Sequence, residues 1–561
     1  MYCDKINVNQ LTSLLVSHGV REVVVCPGSR NAVLVHNFNE CPMLKCYPVT
    51  DERSAAFVAL GMALVKERPV VVCVTSGSAL LNTYPAVAEA FYSHIPLIVI
   101  SADRPASWID QQDGQTLPQP QVFGHFVQKS VTLPEVTDEE SRWWCNRLIN
   151  EALLATTKNN SGPVHINIPI SEPLFTFTTP ELPVERRIDL HTSVQKNPIP
   201  KELLSDILMA SCPILIVGHG FYLLSLMDAF DSIEYSGKLL ILPELISNVC
   251  FSYRTMILEE RLNQEDFNPD LVIFMGGMLV NKNLKLFLRK HPPKRIIHVE
   301  QEGKVSDIFA NVTDVIQAHP SDVLDQLKDA LRYVPEKREV QTLRERWKRF
   351  YEIFENTYTF DSFNDLSAMR QLSRYLNAQR ELWHTHLGNS SVVRNACYFQ
   401  SETGFSISCN RGLNGIEGSL SVAAGFAIAS SMYVVCMIGD LSFFYDQNSL
   451  WNTNIRGNFR IVVFNNSGGQ IFRLLKGLSE SPVRDTYVAA AHQTTAEGIA
   501  KSYNIHYLKA SNEKELDEQL PHLFTEKRDQ VILLEIFTDK IENEKAKRDI
   551  HKWWKQIKPK N

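Results

Sequence analysis

Two polar segments follow two apolar runs in the last third of the chain. The segment "IGDLSFF" places Asp440 directly after one run, and "FNNSGGQIF" places Asn466 directly after the other. Loops at the carboxyl ends of neighbouring parallel strands converge at one edge of an open α/β sheet, where such sheets bind ligands. A carboxylate, an amide oxygen and a loop carbonyl are oxygen ligands that Mg²⁺ takes together with phosphates. The two segments therefore predict a Mg²⁺ site that holds a phosphorylated ligand.

A plain turn is the alternative interpretation, because Asn and Gly both tolerate left-handed backbone angles. The glycines that let the backbone approach a diphosphate closely are Gly439, Gly468 and Gly469. A turn explains these glycines but not the immediate return to Ile471-Phe472. The Asn pair also follows Asp440 by 25 and 26 residues, after the next predicted strand. We therefore favour the binding-site interpretation.

The composition is that of a soluble globular protein. At 561 residues the chain is too long for one core, and we expect roughly three or four domains. No apolar run approaches the ~18 residues that span a bilayer, and the start "MYCDKINVNQ" lacks a secretion signal. The net charge of −6 argues against general nucleic-acid binding. The 11 cysteines form no CxxC pair, and thiols in apolar surroundings such as Cys73 and Cys436 predict a cytoplasmic protein.

The elements that must position these residues fall into three blocks. Residues 1–178 alternate helical patterns with the strands "EVVVCPG", "PVVVCVTSG", "IPLIVISADRP" and "GPVHINIP", which is typical of parallel α/β construction. Residues 179–200 predict a linker, because they have prolines and no periodicity. A middle α/β block at 201–335 contains "PILIVGHG", "KLLILPE", "LVIFMGG" and "RIIHVE", and 336–364 predict a charged helix with a linker. The third block, 365–561, contains "ELWHTHLGNSS", "YVVCMIGDLSFF", "FRIVVFNNSGG" and "VILLEIF", and it ends in a charged helical tail predicted to be solvated.

The first and third blocks share a plan. In the first, the helical segment "DERSAAFVALGMALVKE" leads to a strand at 70–74, a Gly/Ser loop, a helix and a strand at 96–101. In the third, "GSLSVAAGFAIAS" leads to a strand at 433–438, a Gly-Asp loop, a helix and a strand at 460–464. This is a coarse repeat of units and not of identities, so chance recurrence of α/β units is the alternative.

The pattern "GD…NN" at this spacing resembles the diphosphate-binding signature of the thiamine diphosphate enzymes. The resemblance implies an α/β fold of three consecutive parallel-sheet domains: pyrimidine-binding, middle and diphosphate-binding. It also implies that Asp440, Asn466 and the backbone carbonyl of Gly468 hold Mg²⁺, which clamps the diphosphate of thiamine diphosphate. The family's usual Gly-Asp-Gly has Leu441 at its third position here, a departure that changes no metal ligand.

Such enzymes need a carboxylate that shares a proton with the aminopyrimidine ring of the cofactor, usually across a subunit interface. The resemblance implies Glu52, although a first-turn acid is also what a helix dipole favours without any such role. Ile416, in "NRGLNGIEGSLS", is implied to wedge between the two cofactor rings, with an ordinary core isoleucine as the alternative. The other implied cofactor-binding residues are Gly388, Asn389, Ser390, Gly439, Gly469 and Ile471.

Four arginines lie at predicted strand ends of a chain that carries an excess of acid. They are Arg30 in "CPGSRN", Arg104 in "SADRP", Arg394 in "GNSSVVR" and Arg411 in "CNRG". Each alone is equally well a surface ion pair. Together they predict a pocket for several carboxylates, because guanidinium binds carboxylate through a two-pronged fork.

The motifs "CPGSRN", "DERSAAFVALG", "TSGSALLN", "SADRP", "GNSSVVR", "NRG…GI.G", "GDLSF.YD.N" and "NN.GGQIF" together resemble the 2-succinyl-5-enolpyruvyl-6-hydroxy-3-cyclohexene-1-carboxylate synthases of menaquinone biosynthesis. The likeness runs through the first and third blocks and is weak in the middle block. It implies a transferase that decarboxylates 2-oxoglutarate and adds the resulting succinyl carbanion equivalent to isochorismate in a 1,4 sense.

The family resemblance also implies which residues bind the two substrates. They are Ser29, Arg30, Arg104, Gln115, Lys282, Ser390, Arg394, Arg411, Ile471, Phe472 and Leu475. Arg394 and Arg411 are assigned to the oxo acid, the two first-block arginines and Lys282 to isochorismate, and Gln115 to the reacting oxygens. The three apolar members form a wall that keeps water from the carbanion. Asn283 stands where some relatives have a second basic residue.

Several alternatives stay open at this point. Another thiamine diphosphate-dependent enzyme, of the acetolactate synthase or decarboxylase type, predicts turnover of pyruvate without isochorismate and fewer arginines. A catalytically dead, ligand-sensing homologue is expected to lack the acid at 52 or a metal ligand, and both are present. A nicotinamide dehydrogenase is disfavoured because no GxGxxG follows a strand. Mn²⁺ in place of Mg²⁺, a homodimer or a homotetramer, and regulation by a pathway product are undecided.

Overall fold

Three parallel sheets follow one another along the chain and confirm the predicted α/β fold class. The computed structural model describes residues 1–157, 161–191, 196–220, 224–249, 262, 267–379, 381–399, 406–475, 477–525, 527 and 529–556. Each sheet lies within one predicted block, and the exact boundaries between the blocks stay a prediction.

The first sheet has six parallel strands in the order β2-β1-β3-β4-β6-β5. Its strands are β1 (Glu22–Val25), β2 (Lys45–Pro48), β3 (Val70–Val74), β4 (Leu97–Asp103), β5 (Lys129–Thr132) and β6 (Val164–Pro169). Its helices are α1 (Ile6–Ser17), α2 (Ala32–Glu40), α3 (Glu52–Lys66), α4 (Ser78–Asn82), α5 (Tyr84–Tyr92) and α6 (Glu139–Ala155). The central strand β3, "VVVCV", is buried throughout because helices cover both faces of the sheet.

The middle sheet has five parallel strands in the order β11-β10-β9-β7-β8. Its strands are β7 (Pro213–Val217), β8 (Leu240–Pro243), β9 (Leu271–Met275), β10 (Arg295–Glu300) and β11 (Asp314–Gln317). The described helices around it are α7 (Lys201–Met209), α8 (Leu224–Tyr235), α9 (Lys282–Lys290) and α10 (Pro320–Leu331). The charged helix α11 (Arg338–Thr357) then leads to the third block, as the sequence predicts.

The third sheet repeats the first: its six parallel strands have the order β13-β12-β14-β15-β17-β16. Its strands are β12 (Trp383–Leu387), β13 (Ser406–Ser408), β14 (Tyr433–Gly439), β15 (Phe459–Asn465), β16 (His506–Ala510) and β17 (Ile532–Phe537). Its helices are α12 (Asp365–Asn377), α13 (Ser391–Ala396), α14 (Ser419–Ala429), α15 (Asp440–Tyr445), α16 (Gln470–Arg473), α17 (Glu497–Ser502), α18 (Glu513–Leu523) and α19 (Lys540–Gln556). Numbered in chain order, the strands of both sheets follow the same path, which confirms the shared plan.

Every strand that the apolar runs predict is present, and the strands that the sequence did not reveal all lie at sheet edges. These are β2, β5, β11, β13 and β16. Their sequences, such as "KCYP" and "SIS", are short and partly exposed, because an edge strand pairs on one side only.

The first and third blocks meet where α3 crosses α14 at two glycines. A Cβ on Gly61 would lie 2.0 Å from the backbone oxygen of Val422, and a Cβ on Gly425 would lie 2.1 Å from that of Val58. The contact is reciprocal, because each glycine faces the residue three positions before the other. Two backbones can approach this closely only where neither helix carries a side chain.

The charged C-terminal tail was predicted to be solvated, and this is wrong for one face of α19. Ala546, Ile550 and Trp554 are buried in the core that joins the middle and third blocks. The Trp554 ring lies 5.0 Å from that of Phe354 on α11. The tail therefore caps the core with its apolar face, while Lys and Arg occupy the rest. In the part of the chain that the structure describes, no helix is both long and apolar enough to traverse a bilayer.

Candidate active site

Two of the three predicted metal ligands are side chains, and both lie at the carboxyl ends of neighbouring strands. Strand β14 pairs with β15 so that Gly439 is opposite Phe464. Asp440 begins the helix after one strand, and Asn466 follows the end of the other. Both side chains are buried, with 2% and 7% of their surface exposed.

Asp440 is held by the loop after β15. Its Oδ2 accepts a hydrogen bond from the Gly468 amide at 2.9 Å, and its Oδ1 accepts one from Leu441 at 2.7 Å. The Nε2 atom of His492 lies 3.2 Å from Oδ2, and this interaction raises the pKa of the histidine. The carboxylate is thus fixed in place before any ligand arrives.

The amide of Asn466 is oriented by a buried carboxylate. Its Nδ2 donates to Asp365 Oδ2 at 3.0 Å, and Asp365 Oδ1 accepts from Thr538 Oγ1 at 2.6 Å. Burial raises the pKa of Asp365. Because a carboxylate takes the NH₂ side of the amide, the Asn466 Oδ1 is left buried without a hydrogen-bond partner among the described residues.

An orphaned buried oxygen needs a donor or a cation, and this one fits a metal ion. No cluster of three His, Cys, Asp or Glu side chains that could hold a metal occurs in the described part of the chain. A site built from Asp440, Asn466 and a backbone carbonyl is of a different kind, and its all-oxygen donors suit Mg²⁺.

The loop that offers this carbonyl has a backbone that requires glycine. Gly468 has φ +142°, and a Cβ there would lie 2.6 Å from the Ala489 oxygen. The preceding strand end is fixed by Asn465, whose Oδ1 accepts from the Ser467 amide and whose Nδ2 donates to Glu535. Asn465 therefore shapes the strand end.

The loop after β12 contains the next group of predicted cofactor residues. Asn389 joins two loops, because its Nδ2 donates to the carbonyls of Asn410 and Gly415. Ser390 has φ +69°, a strained value for a residue other than glycine, and such strain is commonest at functional sites. Ile416 comes directly after Gly415 and is 39% exposed, so it is not a buried core residue of the single chain.

The two third-block arginines converge on this loop. Arg394 Nη1 donates to the Ser390 carbonyl at 2.6 Å, and Arg411 Nη1 donates to Asn389 Oδ1 at 3.2 Å. The Nε atom of the buried Arg411 has no hydrogen-bond partner among the described residues. The structure therefore places both cations beside the residues predicted to line the cofactor.

The first-block arginines each hold a carboxylate of the chain itself. Arg30 lies 3.3 Å from Glu172 Oε1 and also donates to the Ile170 carbonyl. Arg104 lies 2.9 Å from Asp113 Oδ2. These pairs show that both guanidinium groups can reach a carboxylate at the strand ends.

Two predicted residues lie beside these arginines. Ser29 is exposed in the loop after β1. Gln115 is also exposed, and its Nε2 donates to the Ser76 carbonyl while Ser76 Oγ donates back to the Gln115 carbonyl. This pair ties the loop after β4 to the loop after β3.

Glu52 is the first residue of α3 and is partly exposed in the single chain. Its Oε2 accepts a hydrogen bond from Asn82 Nδ2 at 3.2 Å. The buried setting that a proton-transfer role requires is therefore not complete within one chain, which is what a site shared between subunits predicts.

The middle block contributes the start of α9. Lys282 and Asn283 are exposed in its first turn, which Asn281 caps through the Leu284 amide. Beneath this turn Glu244 accepts from the Asn281 amide at 2.9 Å, and burial raises the pKa of Glu244 to about 7.

The three residues of the predicted apolar wall lie in α16 and directly after it. Ile471 and Phe472 are partly buried, and Leu475 is 46% exposed. These three residues follow Gly468 and Gly469 closely in the chain, within nine positions of the predicted metal ligand Asn466.

Sequence reasoning missed two residues that hold this site together. Asp365 orients Asn466, but the sequence shows only a helix start, "NDLS", far from the metal loop. Glu89 on α5 accepts from the amides of Gly412 and Leu413 and so fixes the loop that carries Ile416. Neither had a local signal, because each acts through a contact distant in sequence.

Comparisons with known proteins find similar sequences along the chain. Residues 8–124 match the family model described as thiamine pyrophosphate enzyme, N-terminal TPP binding domain, and residues 387–536 match the corresponding C-terminal TPP binding domain. The 2-succinyl-5-enolpyruvyl-6-hydroxy-3-cyclohexene-1-carboxylate synthase of Phocaeicola vulgatus is 44% identical over 100% of both chains. The synthases of the same name from Bacteroides thetaiotaomicron and Flavobacterium psychrophilum are 42% and 37% identical, over 99% and 93% of this chain and 100% and 94% of theirs.

Proposed function

The chain belongs to the family of 2-succinyl-5-enolpyruvyl-6-hydroxy-3-cyclohexene-1-carboxylate synthases, and on that premise we propose how its own residues carry out the reaction. The protein is a thiamine diphosphate-dependent transferase of menaquinone biosynthesis. It releases CO₂ from 2-oxoglutarate and adds the remaining four-carbon unit to isochorismate. The buried Oδ1 of Asn466, which has no hydrogen-bond partner among the described residues, is the observation in the structure that supports cofactor binding most directly.

The third block holds the diphosphate end of the cofactor. Asp440, Asn466 and the Gly468 carbonyl would hold Mg²⁺, and Asp365 orients the amide of Asn466 so that its Oδ1 is left for the ion. Gly388, Ser390 and their neighbours line the phosphates, and Ile416 supports the rings. Thiamine diphosphate, when bound, supplies an electron sink for the negative charge that remains when CO₂ leaves.

The Glu52 carboxylate of the first block would hold and transfer a proton at the aminopyrimidine of a bound cofactor, as a general acid and base. Its partial exposure in one chain supports a subunit interface at the site, where a second chain completes its surroundings. We therefore propose a homo-oligomer, either a dimer or a tetramer, in which Glu52 of one chain faces the metal site of another.

The arginines neutralise the substrates, which are both dicarboxylates. Arg394 and Arg411 bind the oxo acid, since both lie beside Ser390 and Asn389. Arg30, Arg104 and Lys282 bind isochorismate, and the ion pairs of the two arginines with Glu172 and Asp113 support their reach toward carboxylates. Charge-assisted, forked hydrogen bonds of this kind are about twice as strong as neutral ones.

Three apolar residues and a glutamine complete the site. Ile471, Phe472 and Leu475 would exclude water from the reacting carbon of the bound substrate. Gln115 hydrogen-bonds the reacting oxygens from the loop after β4. The buried thiols of Cys73 and Cys436 support a cytoplasmic location for the enzyme.

The function is tested by incubating the protein with 2-oxoglutarate, isochorismate, Mg²⁺ and thiamine diphosphate. We expect the absorbance of isochorismate to decay only when all the other components are present. Consumption of pyruvate without isochorismate would instead favour an acetolactate synthase type of enzyme. Cofactor binding without turnover of any oxo acid would favour a ligand-sensing homologue. Replacing Mg²⁺ by Mn²⁺ in the same assay determines the metal preference.

A further inference from the structure

Residues of the third block contact the chain on both sides of Glu52. Asp51, the residue before it, accepts a hydrogen bond from Asn448 Nδ2 at 2.7 Å. Arg53, the residue after it, donates to the Tyr445 carbonyl at 2.7 Å, and its guanidinium lies 4.6 Å from the centre of the Tyr445 ring. Both contacts join segments almost 400 positions apart in sequence, so nothing local requires them.

The segment 445–448, which makes these contacts, is itself anchored in the core. Asp446, between Tyr445 and Asn448, is fully buried and accepts from the amide and the hydroxyl of Ser421 on α14. Helix α14 is in turn fixed against α3 by the reciprocal glycine crossing. The segment therefore offers Asn448 and Tyr445 from a position set by packing.

We propose that Asn448 and Tyr445 are positioning residues for Glu52, acting through Asp51 and Arg53. This inference rests on the role of Glu52 in the proposed function and extends it to two residues of the other block. Asn448 aligns the start of α3 through Asp51, the residue before Glu52. The carbonyl and ring of Tyr445 hold Arg53, the residue after it.

The contacts suit orientation better than simple adhesion. Asp51 is the N-cap of α3, so one carboxylate accepts from the Ser54 amide at 3.0 Å and from Asn448 at the same time. The backbone of the first helical turn sets the direction in which the Glu52 side chain leaves the helix. Among the described residues, the hydrogen bond to the Glu52 carboxylate comes from Asn82 alone, and it is long at 3.2 Å. The position of the carboxylate thus depends on how its backbone is held.

The test uses two variants. Asn448→Asp places a carboxylate opposite the carboxylate of Asp51. The double variant Asp51→Asn with Asn448→Asp, called the exchanged pair, swaps the two residue types. In the pair, the new Asn still caps α3, since Asn is as good an N-cap as Asp, and its NH₂ donates to the new carboxylate. Asn512→Asp makes the same change at the exposed N-cap of α18 and serves as the control. Two quantities are measured: backbone amide hydrogen exchange over 50–56 without cofactor, and the exchange rate of the acidic C–H of bound thiamine diphosphate.

We expect Asn448→Asp to speed amide exchange over 50–56 and to slow cofactor C–H exchange roughly ten- to hundredfold, the cost of a misplacement of about 1 Å. The affinity for thiamine diphosphate should stay within about threefold, because the diphosphate site is untouched. The exchanged pair should restore both rates, and Asn512→Asp should change neither.

Glu52→Gln separates this inference from the role of Glu52 itself. If Glu52→Gln stops C–H exchange while Asn448→Asp leaves it within twofold of the unaltered protein, the positioning role is wrong and the role of Glu52 stands. A loss in Asn448→Asp that the exchanged pair does not restore also overturns it. If Glu52→Gln leaves C–H exchange unchanged, the proposed acid and base is wrong, and the positioning role fails with it.

Discussion

The first and third sheets have the same strand order, yet their loops carry different chemistry. After the fourth strand in chain order, the first block has Arg104 and the third has Asn466. After the second, the first block has Glu52 and the third has the loop that leads to Ile416. One scaffold thus presents the proposed acid and the proposed isochorismate-binding arginines in one copy, and the proposed metal ligands, ring support and oxo-acid-binding arginines in the other.

In both blocks the scaffold determines where a functional residue lies, and the loop determines which chemistry it can carry out. Parallel strands bring loops of either kind to the same edge of the sheet. The buried strands are interchangeable in character, as "VVVCV" and "YVVCMIG" show. Function in this chain is therefore divided between two copies of one arrangement, and each copy can be disabled by itself.

Removing the acid of the first block should have the largest effect. We expect Glu52→Gln to lower kcat by about 10³-fold or more, since general acid and base catalysis contributes about 10²–10⁴-fold. Folding and cofactor binding should persist, because the third block holds the diphosphate. Steady-state kinetics and thermal unfolding measure the two. Glu67→Gln, at the exposed opposite end of α3, is the control, and normal turnover in Glu52→Gln would refute the assignment.

Separating the two copies should affect stability more than any single loop does. Gly425→Ala places a Cβ 2.1 Å from the Val58 carbonyl oxygen, so α3 and α14 must move apart. We expect a loss of about 3 kcal/mol or more in the free energy of unfolding, measured in urea, as for severe overpacking. Gly498→Ala is the control, because nothing lies within 4 Å of its Cβ. Equal stability of the two variants would contradict the close crossing.

In the third block, the proposed metal site should depend on Asp365. In Asp365→Asn the side chain offers a donor as well as an acceptor, so the orientation of Asn466 is no longer forced. We expect the affinity for Mg²⁺ to fall roughly ten- to hundredfold, the usual cost of losing an outer partner of a metal ligand. Titration of tryptophan fluorescence with Mg²⁺ in the presence of thiamine diphosphate measures it. Thr538→Val, which leaves the contact with Asn466 intact, should cost much less.

The substrate side of the third block depends on Arg394. We expect Arg394→Ala to raise the KM for 2-oxoglutarate about tenfold, since a charged hydrogen bond contributes about 1.5–3 kcal/mol. The dissociation constant of thiamine diphosphate should change little. Arg374→Ala, an exposed arginine paired with Glu355, serves as the control. Unchanged kinetics for the oxo acid would refute this assignment.

The smallest effect concerns pH. Burial raises the pKa of Asp446 to about 7, from an ordinary value of 3.8. Between these values the folded chain keeps a proton that the unfolded chain has lost, so stability falls as the pH rises through this range. We expect Asp446→Asn to remove roughly 1–2 kcal/mol of that fall between pH 5 and pH 8. Thermal midpoints at both pH values measure it, and an identical slope in the variant would contradict a buried, protonated Asp446.

The sequence predicted the fold class because central parallel strands leave long apolar runs, as "FRIVVFN" does for β15. It also placed Asp440 and Asn466 at neighbouring strand ends, since that needs only the order of the runs. It could not reveal edge strands such as β13, whose three residues carry no period. The roles of Asp365 and Asn448 could not be predicted for another reason. Their hydrogen-bond partners are 101 and 397 positions away, and one sequence contains no record of such contacts.

The reciprocal glycine crossing also determines how the two blocks can move. The close approach of the backbones at Gly61 and Gly425 leaves no room for the helices to slide, so a small motion of one block against the other would be a rotation about this contact. Glu52 lies nine residues before Gly61 on the same helix, which makes a lever of about 13 Å at 1.5 Å per residue. A rotation of only about 5° moves the end of such a lever by about 1 Å, the scale of misplacement that can cost about 10²-fold in rate. The proposed acid Glu52 therefore keeps its position only while the two helices do not rotate about this contact.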